Sequence, residues 1–230
     1  MHDWNITPKE AVRLQRELAD MILIGGKPGR INTIAGIDVS MRLYGKTGYA
    51  GIIVFSYPGL DVIEESFAWG PVPFPYVPGL LTFREGPLIE KAMTKLKTRP
   101  DLLIFDGQGI AHPRHMGIAA HMGLKLNIPS IGCAKSRLFG EYTEPPPTRG
   151  SSTPLTDGEA RQMGVVLRTR DNVKPVFVSP GHMVGVQESA HIVMSCTGKY
   201  RIPIPTREAH IRVGAFRKRV EGYGINFLDE

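Results

Sequence analysis

Residues 101–135, DLLIFDGQGIAHPRHMGIAAHMGLKLNIPSIGCAK, decide the fold. An apolar run of four, LLIF at 102–105, stops at Asp106 and gives way to the turn Gly107-Gln108-Gly109. A short apolar run closed by a turn signal reads as a buried strand. The spacing then predicts a helix over 114–125, with His112, His115 and His121 in or near it, and a second buried strand over 129–134. Strand, helix and strand make a βαβ unit, so the two strands run parallel. Asp106 and Lys135, each just past the end of its strand, then share one edge of the sheet. Open α/β sheets bind ligands at that edge. A carboxylate there is costly to bury unless it is paired or holds a cation. Asp106 therefore reads either as a metal ligand or as a cap on an Asp-Gly turn.

Upstream, the pattern predicts three strands at 33–40, 48–56 and 61–69, joined at Gly45–Gly48 and Pro58-Gly59. Connections this short imply an antiparallel meander. The first strand, IAGIDVS, carries one acid, Asp38, on the face opposite Ile37 and Val39. It is either a solvent-facing residue or a second ligand. Before the strands, Thr7-Pro8-Lys9-Glu10 is a capping box opening a helix, with Ala11, Leu14, Leu18 and Met21 on one face and Gly25-Gly26 as its stop.

After the strands comes GPVPFPYVPGLLTFREGP, residues 70–87. Its prolines hold it out of regular structure. Tyr76, framed by Pro75, Val77 and Pro78, is a stiffly presented ring. It suits a wedge or stacking platform in a nucleic-acid binder, or a loop aromatic packed on the core. Glu85 precedes a helix expected over 87–97, near its positive end. Beyond Lys135, residues 140–158 read as a long polar loop. Strands at 163–169 and 175–179, a helix opening at Gly181-His182, and a basic helix over 207–219 bearing His210 and capped by Thr206 complete the chain, with a loose end from 221.

Composition bounds the rest. A length of 230 residues suits one sizeable core, and 42% hydrophobic with 22% charged residues is ordinary for a soluble globular chain. A net charge of +6 favours an anionic partner, nucleic acid being the commonest. Cys133 and Cys196 cannot build a disulfide framework, and the cysteine and histidine spacings fit no zinc site. No apolar stretch reaches membrane-spanning length, and the leading residues lack a signal-peptide layout. The expectation is a cytosolic single domain, monomeric and without membrane contact. No Walker loop or complete GxGxxG is present, which weakens nucleotide-cofactor readings.

The order is three antiparallel strands, then helix, strand, helix, strand. That is the order of a ribonuclease-H-like α/β domain, in which the first and fourth strands are neighbours. Asp38 and Asp106 would converge on one cation, with Glu85 and His210 completing the site. Hard oxygen ligands select Mg²⁺ or Mn²⁺, which supply the charge that phosphodiester hydrolysis needs.

The motifs AGIDVS (35–40), PYVPGLLTFREGP (75–87), DLLIFDGQGIAHPRHMGIAAHMG (101–123), IGCAKSRL (131–138), SPGH (179–182) and PTREAH (205–210) together resemble the endonuclease V family. The resemblance covers most of the chain in order. It implies a ribonuclease-H-like fold and Mg²⁺-dependent cleavage of deoxyinosine-containing DNA. The expected cut is at the second phosphodiester bond 3′ to the lesion, leaving 3′-hydroxyl and 5′-phosphate. It matches Asp38, Asp106 and Glu85 to the metal-binding acids, His210 to the site histidine and Lys135 to the lysine beside them. Tyr76 matches the aromatic that parts the strands. Gly79, Leu81, Gly107 and Gly132 are expected to line the base pocket, where glycine permits close backbone approach. Arg84 and His112 stand as further candidate DNA contacts. One departure is Met183, where the family commonly carries a basic residue; a phosphate contact there is in doubt. Alternatives are a related nuclease acting on inosine-containing RNA or structured DNA, and a binding module that has lost catalysis. The presence of Asp38, Glu85, Asp106 and His210 argues against the last.

Overall fold

The computed structural model describes residues 2–26, 28–42 and 45–223. Strands β1 (Thr33–Met41), β2 (Thr47–Ser56) and β3 (Val62–Pro71) form the antiparallel meander. Strands β4 (Leu102–Phe105) and β5 (Ser130–Ala134) follow, then β6 (Ser152–Thr156), β7 (Gln162–Leu167) and β8 (Val176–His182). All eight join one sheet in the order β3-β2-β1-β4-β5-β8-β7-β6. The β1–β4 and β4–β5 pairs are parallel, with Ile37 opposite Phe105 and Phe105 opposite Gly132. The carboxyl ends of β4 and β5 therefore lie beside the middle of β1, just before Asp38, and β1 runs on to Met41.

Helices α2 (Leu81–Met93) and α3 (Ile118–Leu126) cover one face of this sheet. They pack Leu88, Ile89, Ala119 and Met122 on Ala35, Ile37 and Phe105. Helices α4 (Val186–Ser195) and α5 (Ile204–Gly222) cover the other, α4 over Ile34, Ile104 and Ile131. Ile34, Ile37, Leu103, Ile104 and Phe105 are all at most 1% exposed. Each such burial is worth roughly 1.5–3 kcal/mol. α5 approaches β1 closely at Gly36, where a Cβ would lie 2.8 Å from the Cα of Pro205. That contact brings the helix carrying His210 onto the strand carrying Asp38.

Several boundaries differ from the sequence reading, each for a tertiary reason. Helix α1 (Pro8–Ala19) opens on the expected Thr7–Glu10 capping box but ends before Gly25. It buries Ala11 and Gln15, and leaves Met21 57% exposed. Helix α2 starts at Leu81 rather than 87 and carries Pro87 inside it, because burying Phe83 and Arg84 outweighs the proline's local cost. Glu85 thus lies inside the helix. Helix α3 starts at Ile118, since His115 has a left-handed φ of 51° and Gly117 packs on the Gln108–Gly109 backbone. The 140–158 loop contains β6, a sheet-edge strand, where Pro154 is tolerated. Strand β8 continues through Pro180 to His182, pairing with Ser130, and α4 begins later, at Val186. Helix α5 starts at Ile204, and the Thr206 hydroxyl donates to Pro203 instead of capping. The expected loose end begins with two residues that belong to α5; from 224 on it lies outside the described residues. Both cysteines are buried free thiols. No helix among the described residues is long and apolar enough to cross a membrane.

Candidate active site

Four elements meet at the strand ends. Asp38 comes from β1 and Asp106 from the residue after β4, their side chains 13% and 14% exposed. His210 comes from α5, and its Nδ1 lies 2.8 Å from Asp38 Oδ2. One ligand atom from each of Asp38, Asp106 and His210 falls within 4.8 Å of the others. Lys135, directly after β5, donates to Asp106 Oδ2. Glu85 is not part of that three-residue group but approaches from α2, close enough for the charges of Asp38 and Asp106 to act on its carboxyl.

Three acids this close repel one another. Burial first, then the charge of Asp106, raises the Asp38 carboxyl above its usual range, against the opposing His210 and Lys135. Burial, then Asp38 and Asp106, holds Glu85 well above its usual range, with Arg84 opposing. A divalent cation would relieve this repulsion, and a donor set of carboxylate oxygens with one imidazole suits a hard or borderline ion. The residues present therefore fit a cation held between Asp38 and Asp106.

A cavity of about 400 Å³ opens beside these acids. Asp106, Gly107 and Lys135 form its inner wall, and Tyr76, Val77, Pro78, Gly79 and Leu81 its rim. Tyr76 is 51% exposed, so its ring is not packed into the core. The rim loop is pinned at one atom. The Gly79 carbonyl accepts from Gln15 Nε2 at 2.9 Å, Arg114 Nη2 at 2.9 Å and His112 Nε2 at 3.0 Å. Gly79 itself sits at φ +78°, in the left-handed region that favours glycine.

The other sequence candidates are placed differently. His112 lines the cavity but is 2% exposed, and burial pushes its pKa down to about 4, so it is a neutral clamp. Arg84 is buried and donates to the Phe74 carbonyl and to Met41 Sδ, bracing the proline-rich loop from beneath. Gly132 does not line the cavity; it sits behind it, where a Cβ would lie 2.5 Å from the Gln108 carbonyl carbon and 2.6 Å from the Gly107 oxygen. Pro75 is exposed outside the cavity wall. Met183 follows the far end of β8, paired near the start of β5, away from the acids. Two of the basic residues expected on α5 are paired with acids, Arg212 with Glu65 of β3 and with Glu208, and Arg217 with Glu221.

Sequence reasoning missed Gln15, Arg114, Gln108 and Arg201. Gln15 carried a signal, being a polar residue on the inward face of an amphipathic helix. Gln108 lines the cavity and donates to the Ser136 carbonyl at 3.0 Å. Arg201 donates to the Lys135 carbonyl at 2.6 Å, fixing the backbone under the lysine. Nothing local in the sequence marks either one.

A ribonuclease-H-like sheet with acids converging at adjacent strand ends defines the class: a domain built for metal-dependent phosphodiester chemistry. Comparison with known proteins is specific. The family model for Endonuclease V matches residues 16–211. The Endonuclease V of Methanothrix thermoacetophila is 48% identical over 212 residues, covering 92% of each chain. The crystal structure of Endonuclease V from Streptomyces avermitilis superposes with a TM-score of 0.89 at 38% identity, over 95% of this chain and 96% of that one. A Ciona intestinalis Endonuclease V, solved with a 23mer DNA containing an inosine followed by a ribo-adenosine, gives 0.80 at 26% identity over 94% and 100%. This chain belongs to the endonuclease V family and is a nuclease.

Proposed function

We propose that this chain recognises deoxyinosine in DNA and cuts the second phosphodiester bond on its 3′ side, leaving 3′-hydroxyl and 5′-phosphate. One observation carries the reading: Asp106, a member of the acid cluster, and Lys135, which donates to it, both line the wall of the Tyr76-rimmed cavity. A base seated in the cavity would hold its own strand against the acids. Asp38 and Asp106, with Glu85, would hold the cation. Mg²⁺, or Mn²⁺ in its place, would supply the charge that makes water nucleophilic and stabilises the leaving oxygen. His210 orients Asp38 through Nδ1 and would pass a proton at Nε2. Lys135 sets Asp106 and adds positive charge facing the phosphate. Tyr76 fills the stack after the base leaves it, and the pinned Gly79 carbonyl keeps the ring presented without ordering cost on each binding event.

The whole chain acts as one domain, as a cytoplasmic monomer with no membrane contact. Inosine-containing RNA is the second substrate to test, since a pocket that reads an extruded base need not read the sugar. The deciding experiment is a nicking assay on inosine-containing DNA and RNA, each as single strand and duplex, in Mg²⁺ or in EDTA. The expected result is Mg²⁺-dependent nicking with product ends mapped two bonds 3′ of inosine. Tight inosine binding without nicking in any divalent cation would overturn the catalytic reading in favour of a binding module.

A further inference from the structure

Residues 2–6 lie across the seam between α2 and α3, behind the turn of α2 that carries Glu85. Trp4 is the central contact. It packs on Gly86, where a Cβ would lie 2.7 Å from its Cζ2 and 2.9 Å from its Cζ3. Its Nε1–H donates to Glu90 at 2.5 Å, one turn further along α2. Lys125 of α3 lies 4.8 Å from the indole centroid and pairs with Glu90 at 3.3 Å. The Phe83 ring meets the indole edge-on at 5.9 Å.

The segment is closed by two imidazoles. His2 Nε2 lies 2.7 Å from Nε2 of His121, which is 0% exposed. His2 Nδ1 lies 2.9 Å from the Asp3 carbonyl, which can only accept. Nδ1 therefore carries the His2 proton, and Nε2 of the neutral ring is an acceptor. His121 Nδ1 is buried with no partner among the described residues. A bare lone pair there costs less than an orphaned N–H. One assignment satisfies all three: both rings neutral, His121 Nε2–H donating to His2 Nε2. A proton added to His2 sets N–H against N–H, and one added to His121 places an unpaired charge in the core.

We propose that residues 2–6 are a proton-sensitive latch that positions α2, and through it Glu85, against Asp38 and Asp106, with the His121-to-His2 hydrogen bond as its catch. The inference rests on the reading of those acids as a cation site. The charged groups facing the catch among the described residues are Glu90 from α2 and Lys125 from α3; the first favours a positive His2, the second opposes it. Burial lowers both histidines, His121 to about 3. The sign follows. In the open state each histidine titrates near 6.5, so closure is fully favoured above that pH and weakens below it. The closed-to-open ratio falls about tenfold per pH unit for each histidine that titrates.

The test uses the full chain with ¹⁵N-labelled tryptophan, Trp69 serving as internal reference for the Trp4 indole signal. Lowering the pH from 8 to 5 should move the Trp4 signal off its bonded position, starting below 6.5, with a slope steeper than one proton. His2→Ala should open the latch already at pH 7.5 and weaken Mn²⁺ binding, read by electron paramagnetic resonance without DNA, by roughly tenfold. His2→Gln, whose amide oxygen can still accept from His121, should keep Mn²⁺ binding within about twofold of wild type and remove one proton from the pH response. An indole signal indifferent to pH and to His2→Ala overturns the latch. A signal that moves while Mn²⁺ affinity stays constant overturns the positioning of Glu85. A wild-type chain that takes up no Mn²⁺ overturns the cation-site reading, and is told apart because the indole still reports the latch.

Discussion

Gly132→Ala tests how tightly the strand beside Asp106 is fitted. Gly132 pairs with Phe105 in the β4–β5 ladder, and its missing side chain faces the turn that follows Asp106. A methyl group there would lie 2.5 Å from the Gln108 carbonyl carbon and 2.6 Å from the Gly107 oxygen. The Gly109 nitrogen is nearer still, and ordinary contacts begin near 3.4 Å, so the turn or the strand must move by about 1 Å. The obstacles are backbone atoms and cannot rotate away. Overpacking of this kind costs about 1–3 kcal/mol of stability. The same displacement is transmitted to Asp106, the residue next to Gly107, and a misplacement of about 1 Å at a reacting centre costs on the order of 100-fold in rate. Urea denaturation would measure the first quantity, and single-turnover nicking of an inosine duplex in saturating Mg²⁺ the second. A variant that nicks within about threefold of wild type would refute the claim that this glycine sets the position of Asp106.

Three further outcomes are expected. Asp38→Ala and Asp106→Ala should each abolish nicking and leave inosine-DNA affinity intact or tighter by gel shift, because affinity comes mostly from phosphate contacts and a lost carboxylate removes repulsion; near-normal rates would remove them from the cation site. Tyr76→Ala should weaken inosine-duplex binding by roughly 1–3 kcal/mol and single-strand binding less, a difference that equal losses on both substrates would erase. Asp38 and Glu85 have raised carboxyl pKa values, so the folded chain binds protons more tightly than the unfolded one, and its metal-free stability falls as pH rises through them, above the usual 3.8 and 4.5. A divalent cation removes that penalty, so the gain in melting temperature on adding Mg²⁺ should be larger at pH 7.5 than at pH 5; a gain independent of pH would contradict it.

Local pattern was enough to give the order of every strand except β6, and the two aspartates. Apolar runs mark β1, β2, β4 and β5 because a strand buried on both faces must be apolar throughout. Asp38 and Asp106 stand out as the charges that break or end those runs. The capping box at Thr7–Glu10 was equally legible, since its hydrogen bonds close within four residues. The partners of the site were not legible. Glu85 looked like a residue before a helix, because Pro87 reads as a helix start; only the burial of Phe83 and Arg84 against other segments extends α2 back over it. Arg84 and His112 read as candidate DNA contacts, and their inward roles depend on the Phe74 and Gly79 carbonyls, which come from a loop folded back over them. Sequence determines what a residue can donate, accept or bury. Which distant carbonyl or carboxylate it meets is set by the crossing of β1, β4, α2 and α5, and that crossing is a property of the packed chain.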